Sequence, residues 1–221
     1  CILQDGYQQL VKVSYDKVNK PEKSSDFGLI ENNIFRYTEG IGPNYYIGGI
    51  DIHAGNSWII RNNKFNNIAS PGKYIAEHAI HFWNNASNNL VENNVIQDCD
   101  RGIGFGLGQS SNSKNILYSN IGGIIRNNSI FHSDNNHPFS DTGIVLEDSA
   151  RTLIEHNKIW LGHDYPNAIE FRFPSTSGVV IRGNITNKKI RRRNGATADV
   201  YDNTTDADME DILAEHLFGD N

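Results

Sequence analysis

Two short apolar phrases alternate along the chain, and together they predict strands. The first begins with Ile or Val and ends in Asn three residues later. It reads Ile30-Glu31-Asn32-Asn33, Ile60-Arg61-Asn62-Asn63, Val91-Glu92-Asn93-Asn94 and Ile125-Arg126-Asn127-Asn128. It continues as Ile154-Glu155-His156-Asn157 and Ile181-Arg182-Gly183-Asn184, with a weaker seventh copy at Val200-Tyr201-Asp202-Asn203. The second phrase is a two-residue alternation: Ile50-Asp51-Ile52-His53, Ile80-His81-Phe82-Trp83, Ile103-Gly104-Phe105-Gly106, Ile144-Val145-Leu146-Glu147 and Ile169-Glu170-Phe171-Arg172. Val11-Lys12-Val13-Ser14 reads as an earlier copy and Ile190-Arg191-Arg192-Arg193 as a degraded late one. Period-two patterning puts alternate residues on opposite faces of a strand. A repeat near 30 residues with several short strands and no helix predicts a solenoid of parallel strands. Neighbouring coils then stack at roughly 4.8 Å. The repeated Asn falls at one corner of each coil. There its amide can bond to the next Asn and to the turn backbone, and Asn tolerates a left-handed corner.

Composition agrees. The 221 residues include 29 Asn and 27 Ile, a pairing suited to many tight turns between short strands. One Met and few Leu argue against a helical bundle. A net charge of −6 and a pI near 5.7 disfavour a general nucleic-acid binder. No apolar run approaches the ~18 residues of a membrane span. Two cysteines, Cys1 and Cys99, do not make a disulfide framework. Residues 206–217 are acidic, with Met209, Ile212, Leu213 and Leu217 at helical spacing, which predicts a short amphipathic helix covering one end. Cys1–Gln4 aligns with Val95–Asp98 just after a ladder Asn, so residues 1–205 read as a piece of a longer solenoid. Residues 206–221 read as a separate helical tail.

The Ile-x-x-Asn rungs at coil-length spacing resemble the right-handed parallel β-helix repeat proteins of the pectate-lyase-like superfamily. The resemblance covers about residues 1–205. It implies an all-β parallel β-helix of about seven coils with an Asn ladder. In that layout the Asn corner joins the second and third strands of a coil, and the Ile50-type phrase lies on the first strand. The superfamily holds lyases, hydrolases, epimerases and adhesins. The resemblance therefore implies a carbohydrate-active protein with a polysaccharide partner, secreted or at the cell surface, and monomeric.

If Ile50 and Ile52 point inward, two outward columns follow. The first is Lys12, Asp51, His81, Gly104, Val145, Glu170 and Arg191; the second is Ser14, His53, Trp83, Gly106, Glu147, Arg172 and Arg193. A column of small residues (Gly49, Ala79, Gly102, Gly143, Ala168) precedes them and reads as a groove floor. Gly104 and Gly106 read as a notch beside His81, Trp83 and Glu147. In a lyase scheme, His81 oriented by Asp51 is the base. Arg101 or Arg172 neutralises the substrate carboxylate, and His53 or Tyr165 is the acid. Trp83 offers a stacking face for sugar. His78, Tyr165, Arg191 and Arg193 are further substrate contacts. A hydrolase would use Glu147 and Glu170 as its two carboxylates. A non-catalytic glycan-binding scaffold is the third reading. The metal is open between zinc and calcium, and no compact ligand motif such as His-Glu-x-x-His is found: calcium would draw on Asp100, Asp141, Asp164 and Glu170, and loop 132–142 adds His132 and His137. The polygalacturonase motifs Asn-Thr-Asp, Gly-His-Gly and Arg-Ile-Lys are absent. The pectate-lyase Arg-x-Pro-x-x-Arg is approached by Arg172-Phe173-Pro174 but ends in Ser177.

Overall fold

Each Ile-x-x-Asn phrase forms a three-residue or four-residue strand, a left-handed turn residue and a ladder Asn. The structure, a computed structural model, describes residues 1–14, 25–40, 42–108, 118–133 and 139–213. Among the described residues the strands pair only in parallel and build three seven-stranded sheets and one small sheet of three strands. The first sheet stacks Gln9–Val13, Gly48–His53, Ile80–Trp83, Ile103–Phe105, Ile144–Glu147, Asn167–Arg172 and Lys189–Arg193. The second stacks Leu29–Glu31, Ile59–Arg61, Leu90–Glu92, Ile124–Arg126, Leu153–Glu155, Val179–Arg182 and Ala198–Tyr201. The third stacks Ile2–Gln4, Ile34–Arg36, Lys64–Asn66, Val95–Gln97, Ser129–His132, Lys158–Leu161 and Ile185–Thr186. The chain visits the three sheets in turn, once per coil. This is a parallel β-helix.

The ladder runs the length of the stack. The backbone N–H of Asn33 donates to Asn63 Oδ1 at 3.0 Å, and the same bond links 63 to 94, 94 to 128, 128 to 157, 157 to 184 and 184 to 203. From Asn63 to Asn184 each Nδ2 also reaches the next Oδ1 and a carbonyl of the preceding coil, as Asn94 does to Ile60 O at 3.0 Å. The weak seventh copy thus supplies the last rung, Asn203, whose Nδ2 bonds Ile181 O of the preceding coil at 2.9 Å. The left-handed residue, however, is the one before the ladder Asn: Asn32, Asn62, Asn93, Asn127, His156, Gly183 and Asp202 all have φ between 53° and 62°. Two jobs explain the doubled Asn. The first Asn relieves the turn, and the second supplies the amide.

Ile50, Ile80, Ile103, Ile144 and Ile169 form one buried column, and Ile60, Val91, Ile125, Ile154 and Ile181 another. Each fully buried Ile contributes about 1.5–3 kcal/mol. Phe35 stacks on Phe65 at 4.9 Å, and Phe82 meets Phe105 edge-on at 5.6 Å.

Outside the second sheet, the residue two before each ladder Asn from 33 to 184 alternates in charge: Glu31, Arg61, Glu92, Arg126, Glu155, Arg182. Each Arg pairs with the Glu of the coil before it, at 2.7 Å for Arg61–Glu31 and 2.8 Å for Arg126–Glu92 and Arg182–Glu155.

Three expectations need correction. Ile2, not Cys1, pairs with Ile34 in the register of Lys64 and Val95, so Cys1 occupies a ladder position and its amine donates to Asn33 Oδ1 at 3.1 Å. The column Gly49, Ala79, Gly102, Gly143 and Ala168 is buried and not a groove floor. A Cβ on Gly102 would lie 2.1 Å from Gly143 O, and one on Gly143 would meet Ile159 at 2.7 Å, so the column is an inner corner packed against the next coil. Within the described residues the tail helix covers Met209–Leu213; Ile212 is buried but Met209 is 42% exposed, so Met209 is not on the covering face. Leu217 and His137 lie outside the described residues. Among the described residues no helix is long and apolar enough to cross a membrane.

Candidate functional site

Strand register brings the two outward columns together as the alternation predicts. Lys12, Asp51, His81, Gly104, Val145, Glu170 and Arg191 are successive partners on the first sheet. His53 pairs with Trp83, and Glu147, Arg172 and Arg193 follow one another. Burial divides the columns. Asp51, His81, Val145 and Glu170 are at most 4% exposed, whereas His53, Trp83, Glu147 and Arg172 are half-buried at the rim and Arg193 is exposed. Side chains from the flanking loops roof the first column. The His78 ring fills the space above Gly104, where a Cβ would lie 2.8 Å from Nε2. The expected notch is therefore occupied.

Asp51 organises the upper part of the face. Its Oδ2 accepts from Lys12 Nζ at 2.6 Å and lies 3.4 Å from His53 Nε2. Its Oδ1 accepts from Trp83 Nε1 at 2.7 Å and lies 3.9 Å from His81 Nδ1. Burial pushes the Asp51 carboxyl up, but His53, His81 and Lys12 more than offset this and hold it well below the usual carboxylate range. His53 sits edge-on to Trp83 with ring centroids 4.3 Å apart. The Asp51 partner nearest among the imidazoles is thus His53. His81, the expected base, is 2% exposed and its Nε2 donates to Gly106 O at 3.0 Å.

Beside it, Glu77, His78 and His81 gather their donor atoms within 4.8 Å of one another. Burial pushes the Glu77 carboxyl up, but His78, His81 and Arg101 hold it down at about 2. Burial pushes His78 down to about 3, so it is neutral at neutral pH. The chain spells this cluster as Glu77-His78-Ala79-Ile80-His81, a compact signal split between a loop end and a strand start.

Farther down the stack, Arg172 is the hub of an ion network. Its guanidinium bonds Glu147 Oε1 and Glu170 Oε2, each at 2.6 Å, and lies 3.5 Å from Asp141 Oδ1. Glu170 also accepts from Tyr165 Oη at 2.8 Å, Asn167 Nδ2 at 2.5 Å and Arg193 at 3.1 Å. Burial raises the Glu170 carboxyl, but Tyr165, Arg172 and Asn167 bring it below its ordinary value. Arg101 Nε lies 3.6 Å from Asp141. Asp100 Oδ2 accepts from the Ser70 and Ala76 N–H groups, each at 2.9 Å, and so staples the loop that carries Glu77 and His78. Below the network, Tyr165, Lys189, Arg191, Arg192 and Arg193 line a cleft of 560 Å³. His132 and His163 meet ring to ring at 4.7 Å.

Buried carboxylates held low stabilise the fold while they stay ionised. Both Asp51 and Glu170 are lowered, so their contribution is complete above the ordinary carboxylate range and is lost as the pH falls through it and below. Thermal midpoints should be level from pH 7 to 5 and drop below about pH 4. Glu170→Gln, measured by the same melts, should be less stable at pH 7 and should flatten the acid slope.

The parallel β-helix is thus defined by its own strand register and ladder. The chain matches no protein-family model, no curated protein and no solved structure.

Proposed function

We propose that this chain is a carbohydrate-active β-helix of the pectate-lyase-like kind that cleaves an acidic polysaccharide by β-elimination. The observation that carries this reading is the buried Asp51 carboxylate, which holds an ammonium, an imidazole and an indole side by side at the rim of one face. β-Elimination asks for those parts. His53, oriented by Asp51, takes the proton from the carbon beside the uronate carboxylate. Lys12 neutralises that carboxylate as charge spreads into it. The carbon–oxygen bond to the next sugar breaks, a carbon–carbon double bond forms, and the His53 imidazolium returns its proton to the leaving oxygen. Trp83 supplies the flat surface on which a sugar ring rests. Arg191, Arg192 and Arg193 lie five coils from His53, roughly 24 Å along the stack. They give a second anionic subsite to a polymer laid along it, with Tyr165 at its edge. A secreted or surface location goes with such a polymer.

The hydrolase reading draws less support. One of its two carboxylic acids must be protonated at rest. Here a single guanidinium clamps both Glu147 and Glu170, and Glu170 is held below its ordinary value.

Absorbance near 235 nm, followed with a panel of uronate-containing polysaccharides, tests the reading. Rising absorbance is expected, and His53→Ala should slow it about 10²–10⁴-fold while the melting temperature holds. A flat trace with new reducing ends would replace elimination by hydrolysis. A flat trace with polysaccharide retained on the protein would make the face a binding scaffold.

A further inference from the structure

We infer that Glu77, His78 and His81 form a transition-metal site of the two-imidazole, one-carboxylate type, suited to Zn²⁺. The inference is independent of the reaction proposed above. It starts from His81. Its Nε2 lies 3.0 Å from Gly106 O, a carbonyl that can only accept, so Nε2 carries the hydrogen. In the neutral ring Nδ1 is then a bare lone pair. That lone pair faces Glu77 Oε2 at 4.0 Å and Asp51 Oδ1 at 3.9 Å, two further acceptors. His78 Nδ1 is 3.9 Å from the same Glu77 oxygen, too far for a hydrogen bond. It is buried without a hydrogen-bond partner among the described residues. The His81 lone pair, the Glu77 carboxylate and the unpartnered His78 Nδ1 thus face one space, and with His78 as its Nε2–H tautomer all three present lone pairs to it. A cation in that space satisfies all three.

The chemistry selects which cation. Two imidazole nitrogens and one carboxylate oxygen suit zinc and its neighbours, whereas calcium asks for six or more oxygens. A hydrogen bond from the far ring nitrogen to a backbone carbonyl is what orients a metal-binding histidine, and His81 has it. Around an ion with bonds near 2.1 Å, donors sit roughly 3.4 Å apart. The present spacings of 3.9 to 4.8 Å close to that by side-chain rotation. Glu77 is 26% exposed and marks the side from which the ion and a fourth ligand enter. Asp100 fixes the approach by stapling the backbone of residues 70–76 just before Glu77.

The test is metal binding by the whole chain, stripped with chelator and dialysed against Zn²⁺, Co²⁺ or Ca²⁺. It uses a Cys1→Ser background, because the exposed Cys1 thiol and amine are a competing site. One Zn²⁺ or Co²⁺ per chain is expected, with the visible absorption of four-coordinate Co²⁺ and with Ca²⁺ not taken up. His78→Ala and His81→Ala should each weaken binding at least about 100-fold, and Glu77→Gln at least about 10-fold. His156→Asn, which places Asn where other coils have it, should bind as the parent does. Melting curves verify that each variant is folded. Absence of stoichiometric binding overturns the inference, as does undiminished Zn²⁺ binding by folded His78→Ala. So would nitrogen NMR showing His81 Nδ1 protonated at neutral pH in the Zn²⁺-treated chain.

Discussion

Replacing Asn128 by alanine is expected to cost at least about 3–5 kcal/mol, the largest loss of any single side chain outside the apolar core. Asn128 is 1% exposed. Its Nδ2 donates to Val91 O, Arg126 O and Asn157 Oδ1, all at 3.0 Å, and its Oδ1 accepts both the backbone and the side-chain N–H of Asn94 at 3.0 Å. Alanine removes all of these contacts and leaves the Asn94 N–H buried without its acceptor. A buried donor so stranded loses its desolvation free energy without return. Against a typical domain stability of about 5–15 kcal/mol, the variant should unfold at a much lower urea concentration. Asn33→Ala, at a half-exposed rung where water replaces the amide, should cost about 1 kcal/mol. Equal midpoints for the two variants would mean that the ladder does not hold the stack together.

Gly106→Ala should be nearly as damaging, at about 3 kcal/mol or more. Gly106 has a φ of 82°, and a Cβ there would stand 1.8 Å from Glu147 O, a backbone atom of the next coil. The strand cannot retreat easily, because Gly106 N donates to Phe82 O at 2.7 Å on its other side. The same residue orients His81 through its carbonyl, so the variant should also lose metal affinity. Gly40→Ala separates the two costs. Gly40 has a φ of 71° with nothing among the described residues within 4 Å of its would-be Cβ, so only backbone strain of about 1–2 kcal/mol applies. Thermal denaturation of both variants distinguishes strain from collision.

Periodicity carried the fold and the register into view. The Ile-x-x-Asn rungs gave the corner of every coil, and the two-residue alternation placed Asp51 against His81 and Glu147 against Arg172. Both are properties of repeating backbone, and repetition shows in a single sequence. Burial of the face did not show. Asp51, His81 and Glu170 read as exposed because the alternation assigns them outward. His78 and Tyr165 come from loops without period and lie over that column. For the same reason the pairing of Asp51 passed from His81 to His53: a neighbour in register is close at the backbone, while rotamer and hydrogen bonding decide which side chain turns toward it. The Glu-His-x-x-His run at 77–81 was available as a signal. Its residues fall on a loop end and a strand start, where neither helical nor strand spacing applies.

The alternating charges outside the second sheet make the solenoid count in twos. Three Glu–Arg dyads each tie one coil to the next, so a pair of coils, not a single coil, is the module that conserves charge. Excising the coil that carries Arg126 would set Glu92 against Glu155, and duplicating it would set Arg against Arg. Either change places like charges a strand spacing apart. Lengthening or shortening this chain without penalty therefore has a parity, and the natural increment is about 60 residues, two turns of the repeat.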